Sequence, residues 1–444
     1  MGAAIDIFGD AVPSLMASKA PKKSERVPQS VIDTLLEHVS LIDLIKESTH
    51  VKSNSGRHTA HCPFHARGNN DYTLTIDNEN DHFSCSECDF KGSAIGWLMF
   101  HDGLSFQESV YMLAQSYGVD VSSWITPLEI DQSRIAKLTL LADVAEFFSS
   151  QLKTSDEALA YLRSRGLSDS TIDRFGIGFA PSDMASLEAA FPKRNRDLWS
   201  QGLLVRLSDG KFSRRFRDRI MFPIRNAVGD IVGFGGRALD DTIPKYLNSP
   251  SSPLFSKSEL LYGLSESLVQ SDQQRTFVLV EGYVDVLSLH QAGFSGAIAT
   301  LGTSPSEDHL KTVFSHCDSL VACFDGDSAG VKAAERLMLA ALPVLEDGQR
   351  LDFVLLPAGD DPDSIIRDKG AEEFERCLSS AVAIEEFFHF TFSRDLDLAG
   401  IGGKSRLATI ARPHVQRVSS ELLRLSLIEI VEESVGIPWY EIES

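Results

Sequence analysis

The chain has 444 residues, which suggests about three domains, and its 43% apolar content is ordinary for a globular protein. No apolar run reaches the 18 residues of a membrane-spanning helix, and the N-terminus lacks the continuous apolar stretch of a signal peptide. A formal charge of −21 argues against nonspecific coating of nucleic acid, so any nucleic-acid surface must gather its positive groups locally.

Residues 1–27 are rich in Ala, Ser and Lys without sustained periodicity and read as a flexible extension. Two short helices follow, the second opened by Ser40 as N-cap with Asp43 three residues on. Residues 57–90 read as a small β-ribbon. A helix is expected over Ser93–Phe100, and another from the Ser105–Glu108 capping box to Gly118. Val119–Gln132 is polar, contains Pro127 and has no clear period, so it reads as a linker. Mixed α/β sequence then runs from Ser133 to about Gln270. Three short β-branched and apolar runs, Thr276–Val280, Ser319–Phe324 and Asp352–Leu356, alternate with helical patterns and imply a parallel sheet. The rest is helical by pattern. Ile384, Phe387 and Phe388 share one helix face, and Leu422, Leu425, Leu427 and Ile430 suggest another. The division is 1–27, 28–122, 123–270, 271–370 and 371–444.

Six cysteines in so long a chain do not make a secreted disulfide framework. Cys62-x₂-His65 and Cys85-x₂-Cys88 lie 19 residues apart, and each pair can grip one metal from a tight turn. Together they supply the three sulfurs and one imidazole of a closed, structural zinc site, one per chain. His58, His61 and His82 are near enough to exchange with a ligand. His61 adjoins Cys62 and points the other way on an extended strand, so it is a poor candidate. Cys317, Cys323 and Cys377 read as small buried hydrophobes.

Six carboxylates follow the three strand runs. V-L-V-E-G-Y-V-D carries Glu281 and Asp285, C-F-D-G-D carries Asp325 and Asp327, and L-P-A-G-D-D-P-D carries Asp361 and Asp363. Catalytic groups in parallel sheets gather at the carboxyl ends of strands. Clustered carboxylates repel unless a hard cation neutralises them, and oxygen ligands suit Mg²⁺ or Mn²⁺. Glu281, Asp325, Asp327, Asp361 and Asp363 are the candidate magnesium ligands. The chemistry indicated is metal-assisted phosphoryl or nucleotidyl transfer. Arg206–Arg225 holds seven Arg or Lys and two Asp, a local +5 that fits either a solvated basic face or a phosphate surface.

The acidic motifs resemble the toprim domain shared by primases, topoisomerases and some nucleases. H-C-P-F-H, F-S-C-S-E-C and F-Q-E-S-V-Y-M-L-A resemble the zinc-binding domain of bacterial DnaG-type primases. Y-L-R-S-R-G-L-S-D, F-R-D-R-I-M-F-P-I, G-F-G-G-R and P-K-Y-L-N-S-P resemble that family's polymerase core, in the family's order. The sequence departs from the family after His65, at Arg67–Leu74, and around the second cysteine pair, which leaves the template start site open.

The resemblance implies a mixed α/β protein with a small zinc ribbon, a linker, and a primase core containing a toprim parallel-sheet subdomain and a C-terminal helical cap. It implies that Arg165, Arg217, Arg219, Arg237, Lys245 and Lys257 line the nucleotide and template path. It implies a DNA-directed RNA polymerase that makes primers on single-stranded DNA from ribonucleoside triphosphates, in the cytoplasm of a bacterial cell and away from membranes. Chromosomal, phage or plasmid origin stays open. A replicative helicase is a further partner in that family, but its docking domain would begin where this chain stops.

Three other readings fit less of the sequence. A toprim nuclease or topoisomerase explains the acids but not the zinc module. A fused helicase needs a P-loop, yet Leu398 stands where G-x-x-x-x-G-K-[ST] needs Gly, so Gly402–Ser405 reads as a helix start. A non-catalytic single-strand-binding protein would not need acids at all six positions.

Overall fold

The computed structural model describes residues 27–443, apart from 55–56, 64–71, 79, 88–89, 102–103, 126, 208–210, 241, 271–275 and 303. The extension expected at 1–27 lies, except for Val27, outside the described residues.

The first unit opens with helices α1 (Gln29–Leu36) and α2 (Leu41–Lys46). The Ser40 hydroxyl accepts the Asp43 N–H at 3.3 Å and caps α2 as its sequence indicates. The ribbon is a five-stranded antiparallel meander: β1 (Val51–Asn54), β2 (Arg57–Ala60), β3 (Leu74–Asp77), β4 (His82–Cys85) and β5 (Lys91–Gly92). It begins earlier than residue 57 because V-K-S-N forms an edge strand whose last three residues are exposed and carry no apolar alternation. Helices α3 (Ala94–His101) and α4 (Phe106–Tyr117) follow. Ser105 and Glu108 form the expected capping box, and Gly118, at φ 70°, closes α4 in the left-handed region.

The linker expected over Val119–Gln132 is shorter than that. Helix α5 runs from Pro127 to Leu152, so 127–132 are helical. A proline as first helical residue loses only an N–H that has no intrahelical partner, which is why it opens this helix instead of breaking it. Ile130 packs against the core of the first unit, whereas Leu140, Leu141, Val144 and Phe148 belong to a cluster of the next one.

The second unit contains α6 (Asp156–Ser164), α7 (Asp169–Phe175), β6 (Gly178–Ala180), α8 (Met184–Ala190), α9 (Asn195–Ser200) and a short hairpin, β7 (Leu204–Arg206) with β8 (Phe212–Arg214). Strands β9 (Arg219–Arg225), β10 (Ile231–Ala238) and β11 (Tyr246–Asn248) complete a sheet of order β11-β10-β9-β6.

After α10 (Leu264–Gln270) comes the sheet that carries the acids. Its elements are β12 (Thr276–Val280), α11 (Tyr283–Gln291), β13 (Ala297–Ala299), α12 (Glu307–Phe314), β14 (Ser319–Phe324), α13 (Ser328–Ala341), β15 (Arg350–Leu355), α14 (Pro362–Lys369), α15 (Ala371–Ser379) and β16 (Val382–Ala383). The order is β13-β12-β14-β15-β16, with the first four strands parallel and β16 antiparallel. Strand alternation divides the sheet between two cores. Leu279, Leu320, Ala322 and Phe353 face α13 and the C-terminal helices, and Val278, Val280, Val321 and Val354 face α11 and the β9 residues Ile220, Phe222 and Ile224.

The cap is α16 (Ile384–Ser393), α17 (Ile401–Val415), α18 (Glu421–Val435) and α19 (Trp439–Glu443). Ile384, Phe387 and Phe388 are buried, and Phe387 stacks on Phe353 at 4.3 Å. Gly400 precedes α17, so Gly402–Ser405 is indeed a helix start. The stripe expected on α18 is rotated: Leu427, Val431 and Val435 are buried, whereas Leu422 and Leu425 are exposed. Among the described residues no helix is long and apolar enough to cross a membrane.

Candidate active site and zinc module

The loops after β12, β14 and β15 bring the acids to one end of the sheet. Glu281 follows β12, and its Oε1 accepts the Asp325 N–H at 3.3 Å across to the neighbouring strand. Gly326 sits where a Cβ would lie 2.0 Å from the Pro357 carbonyl oxygen, and its N–H reaches the Asp360 carbonyl at 3.2 Å. Only glycine lets these two loops meet so closely, which explains the D-G-D spelling. Asp327 caps α13, its Oδ1 accepting from the N–H of Ala329 and Gly330 at 2.8 Å each. Asp361 caps α14 through the Ser364 N–H at 2.6 Å. Asp285, buried in the first turn of α11, accepts from the N–H of Gly282 at 3.0 Å and of Asp363 at 3.3 Å.

These groups feel one another. Burial, then the charges of Glu281, Asp361 and Asp327, push the Asp325 carboxyl up to about 7. Burial and then Asp361 and Asp325 raise Asp285 well above the carboxylate range, and burial is also the main cause that raises Glu281. Asp325 Oδ1 is buried with no hydrogen-bond partner among the described residues. Oxygen donors that raise one another's pKa, one of them orphaned, fit a hard divalent cation. Among the described residues no three such groups stand close enough together to form a closed ligand cluster.

Asp363 differs from the magnesium ligand expected. It is fully buried, with Oδ2 bound by Arg165 at 2.5 Å and Arg367 at 2.7 Å, and Oδ1 accepting from Ser288 Oγ at 2.9 Å. Both oxygens are committed to protein donors, so it is an anchor of α14. Arg165, expected to contact nucleotide or template, is its partner across 198 residues of sequence.

Of the other basic candidates, Arg217 and Lys245 are exposed and Arg237 is half-buried. The Arg237 guanidinium lies 4.3 Å from the Tyr161 ring centroid and 5.9 Å from that of Tyr246. Lys257 is half-buried near Arg215; burial and then that neighbouring charge lower its pKa. Arg219 leaves the expected lining. It is buried beneath it, donating to the carbonyls of Gly236, Lys245 and Pro244 at 3.2, 3.2 and 2.8 Å.

The sequence reading missed Arg215, Asn248 and Tyr283. Arg215 donates to the Asn248 carbonyl at 3.3 and 3.1 Å, and the Tyr283 hydroxyl donates to Asn248 Oδ1 at 2.7 Å. Arg215 stands in the R-R-F-R-D-R run, and Tyr283 lies between Glu281 and Asp285, so proximity to motif residues was the available signal.

In the first unit, Leu74 of β3 lies opposite both Ala60 and Cys85. Cys62, two residues past Ala60, and Cys85 therefore stand at the same end of the ribbon. Both are buried. His65 and Cys88 lie outside the described residues. His61 packs its ring 4.1 Å from Tyr72, and His58 Nδ1 pairs with Ser53 Oγ at 2.8 Å. Cys317 and Cys323 are buried in the sheet subdomain, where burial raises both thiols, Cys317 to about 11. Cys377 is half-buried.

A cysteine-bearing antiparallel ribbon, a basic sheet unit and an acidic parallel sheet in succession define a toprim nucleic-acid enzyme. The chain matches the family model of the CHC2 zinc finger over residues 27–126, that of the DNA primase catalytic core, N-terminal domain, over 147–268, and a Toprim-like model over 278–366. It is 37% identical to the DNA primase of Escherichia coli K12 over 93% of this chain and 72% of that one. It is 39% identical to the DNA primase of Pseudomonas aeruginosa, over 93% of this chain and 63% of that one. A DnaG primase catalytic domain bound to ssDNA superposes at TM-score 0.66 and 37% identity, covering 69% of this chain and 98% of that one. The Aquifex aeolicus primase, with zinc-binding and RNA polymerase domains, superposes at TM-score 0.61 and 27% identity over 93% of this chain and 98% of that one. The chain belongs to the DnaG-type DNA primase family of enzymes.

Proposed function

We propose that the chain synthesises short RNA primers on single-stranded DNA, joining a primer 3′-hydroxyl to the α-phosphate of an incoming ribonucleoside triphosphate. The observation that carries this is the gathering of Glu281, Asp285, Asp325 and Asp361 at one end of the parallel sheet, where burial and acidic neighbours raise Asp285 and Asp325, with Tyr246 and Arg237 set against it. Glu281, Asp325, Asp327 and Asp361 would hold Mg²⁺ or Mn²⁺, which when bound supplies charge neutralisation for the triphosphate and the leaving pyrophosphate. Asp285 orients the loops from below, through the N–H groups of Gly282 and Asp363. Arg217, Arg237, Lys245 and Lys257, with Arg215, supply phosphate contacts, Arg in bidentate form and Lys as a point charge. Tyr161 and Tyr246 keep Arg237 oriented through their ring faces.

Cys62, His65, Cys85 and Cys88 would hold one zinc that folds the ribbon, with Cys62 and Cys85 at the same end of β3 in support. The domain reading is a zinc module to about residue 122, a basic half to 270, the acidic sheet to 370 and the cap beyond.

The test is ribonucleotide incorporation on random single-stranded templates, with products sequenced. Wild-type chain should extend primers in a divalent-metal-dependent way, and Asp325→Ala or Glu281→Ala should abolish synthesis with the fold intact. Synthesis at the wild-type rate in either variant would place the catalytic centre elsewhere.

A further inference from the structure

A second basic site lies away from the acids, at the seam between the zinc module and the core. A cavity of about 780 Å³ opens there over the stretch of α5 around Lys137. Leu104 and Ser105 of the zinc module form one side, and α9 with the β7–β8 hairpin forms the other. Its charged lining is Lys137, Arg194, Arg196 and Arg206 against the single carboxylate of Asp197, in a chain whose total charge is −21. Arg194 is held by Asp197 at 3.0 Å, and Lys137 by Glu108 at 2.7 Å. Arg196 and Arg206 are exposed and have no ion pair among the described residues. Trp199 and Phe212 add aromatic faces, their centroids 6.4 Å apart. None of the acids or basic residues proposed for polymerisation lines this cavity.

We propose that this seam cavity is a nucleotide site that takes a base against Trp199 or Phe212 and its phosphates against Arg196 and Arg206. The volume lies within the range of small-ligand sites. Cations beside aromatic rings are the chemistry that holds unpaired nucleotides, by stacking without sequence preference and by charge-assisted phosphate contacts. A ligand here touches both units and α5 at once, so it ties the zinc module to the core. The ligand chemistry comes from two sources, a passing single strand or a free nucleotide, and the two arms of the experiment separate them.

The experiment uses the zinc-loaded full chain without magnesium, so it does not depend on primer synthesis or on the acids. Tryptophan emission is followed while an oligodeoxythymidylate of about eight residues, or ATP, is titrated. The part of the signal that disappears in Trp199→Phe reports the cavity. In Arg196→Ser/Arg206→Ser the dissociation constant read by that signal should rise tenfold or more, with partial recovery in Arg196→Lys/Arg206→Lys. For the strand, losing two phosphate contacts should flatten the log–log salt slope by about 1.4. Response to the oligonucleotide alone assigns the site to a strand, and response to ATP alone assigns it to a free nucleotide. Absence of a Trp199-dependent signal with both ligands, or unchanged affinity in the double serine variant, overturns the proposal.

Discussion

Asp325 keeps its proton to about pH 7 in the folded chain, against a reference value of 3.8. A raised carboxylate pKa favours the folded state below the unfolded value and loses that advantage as pH rises through the folded one. Burial is the largest cause of the shift, with Glu281 next, and a bound divalent cation would oppose both, so the loss belongs to the state without one. Chain free of magnesium should therefore lose melting temperature between about pH 4 and 7, and Asp325→Asn should flatten that slope. The variant should melt higher than wild type at pH 8, by on the order of 2 °C, and added Mg²⁺ should narrow the gap. Calorimetry across pH checks this, and identical profiles for the two proteins would contradict it. Asp363 is held differently. Its carboxylate meets two guanidiniums and a hydroxyl, which ties the start of α14 to α11 and to Arg165. The sequence placed both in the same motif register, D-G-D and D-P-D, and could not show that Arg165 arrives from 198 residues away to claim one of them.

At the scale of elements, the loops after β14 and β15 depend on a residue without a side chain. A Cβ on Gly326 would sit 2.0 Å from the Pro357 oxygen and 2.5 Å from that of Leu356. Gly326→Ala should push the loops apart, cost about 1–3 kcal/mol as overpacking does, and reduce incorporation more than stability. Denaturant unfolding and primer assays on the same sample test it; full activity would mean that the loops move freely. The three acid-bearing strands were legible because each is a β-branched run ending in a carboxylate motif. Strand β13, only Ala297–Ala299, is too short and too poor in β-branched residues to announce itself. The start of α5 was obscured because proline reads first as a breaker. The face of α18 was misread because Leu422, Leu425, Leu427 and Ile430 satisfy helical spacing at two rotations, and only packing against α16 and α17 selects Leu427, Val431 and Val435.

Across the whole molecule, α5 contributes to three hydrophobic clusters, and Glu108 of α4 grips it through Lys137, with side-chain exposures of 8% and 17%. Removing one partner of so enclosed a pair leaves a charge in poor solvent. Lys137→Met should loosen the zinc module from the core without unfolding either, and small-angle scattering should record a larger radius of gyration. An unchanged scattering curve would show that apolar contacts hold the seam alone. The contact between Arg165 and Asp363 has a consequence at this scale too. It is one of several bonds across the same seam, with Ser168 and Thr171 held by Gln291 and the Tyr283 hydroxyl by Asn248, all above a shared apolar core. Two plates welded along their length cannot swing. The surface they share is a fixed floor, and whatever adjusts to a ligand lies above it.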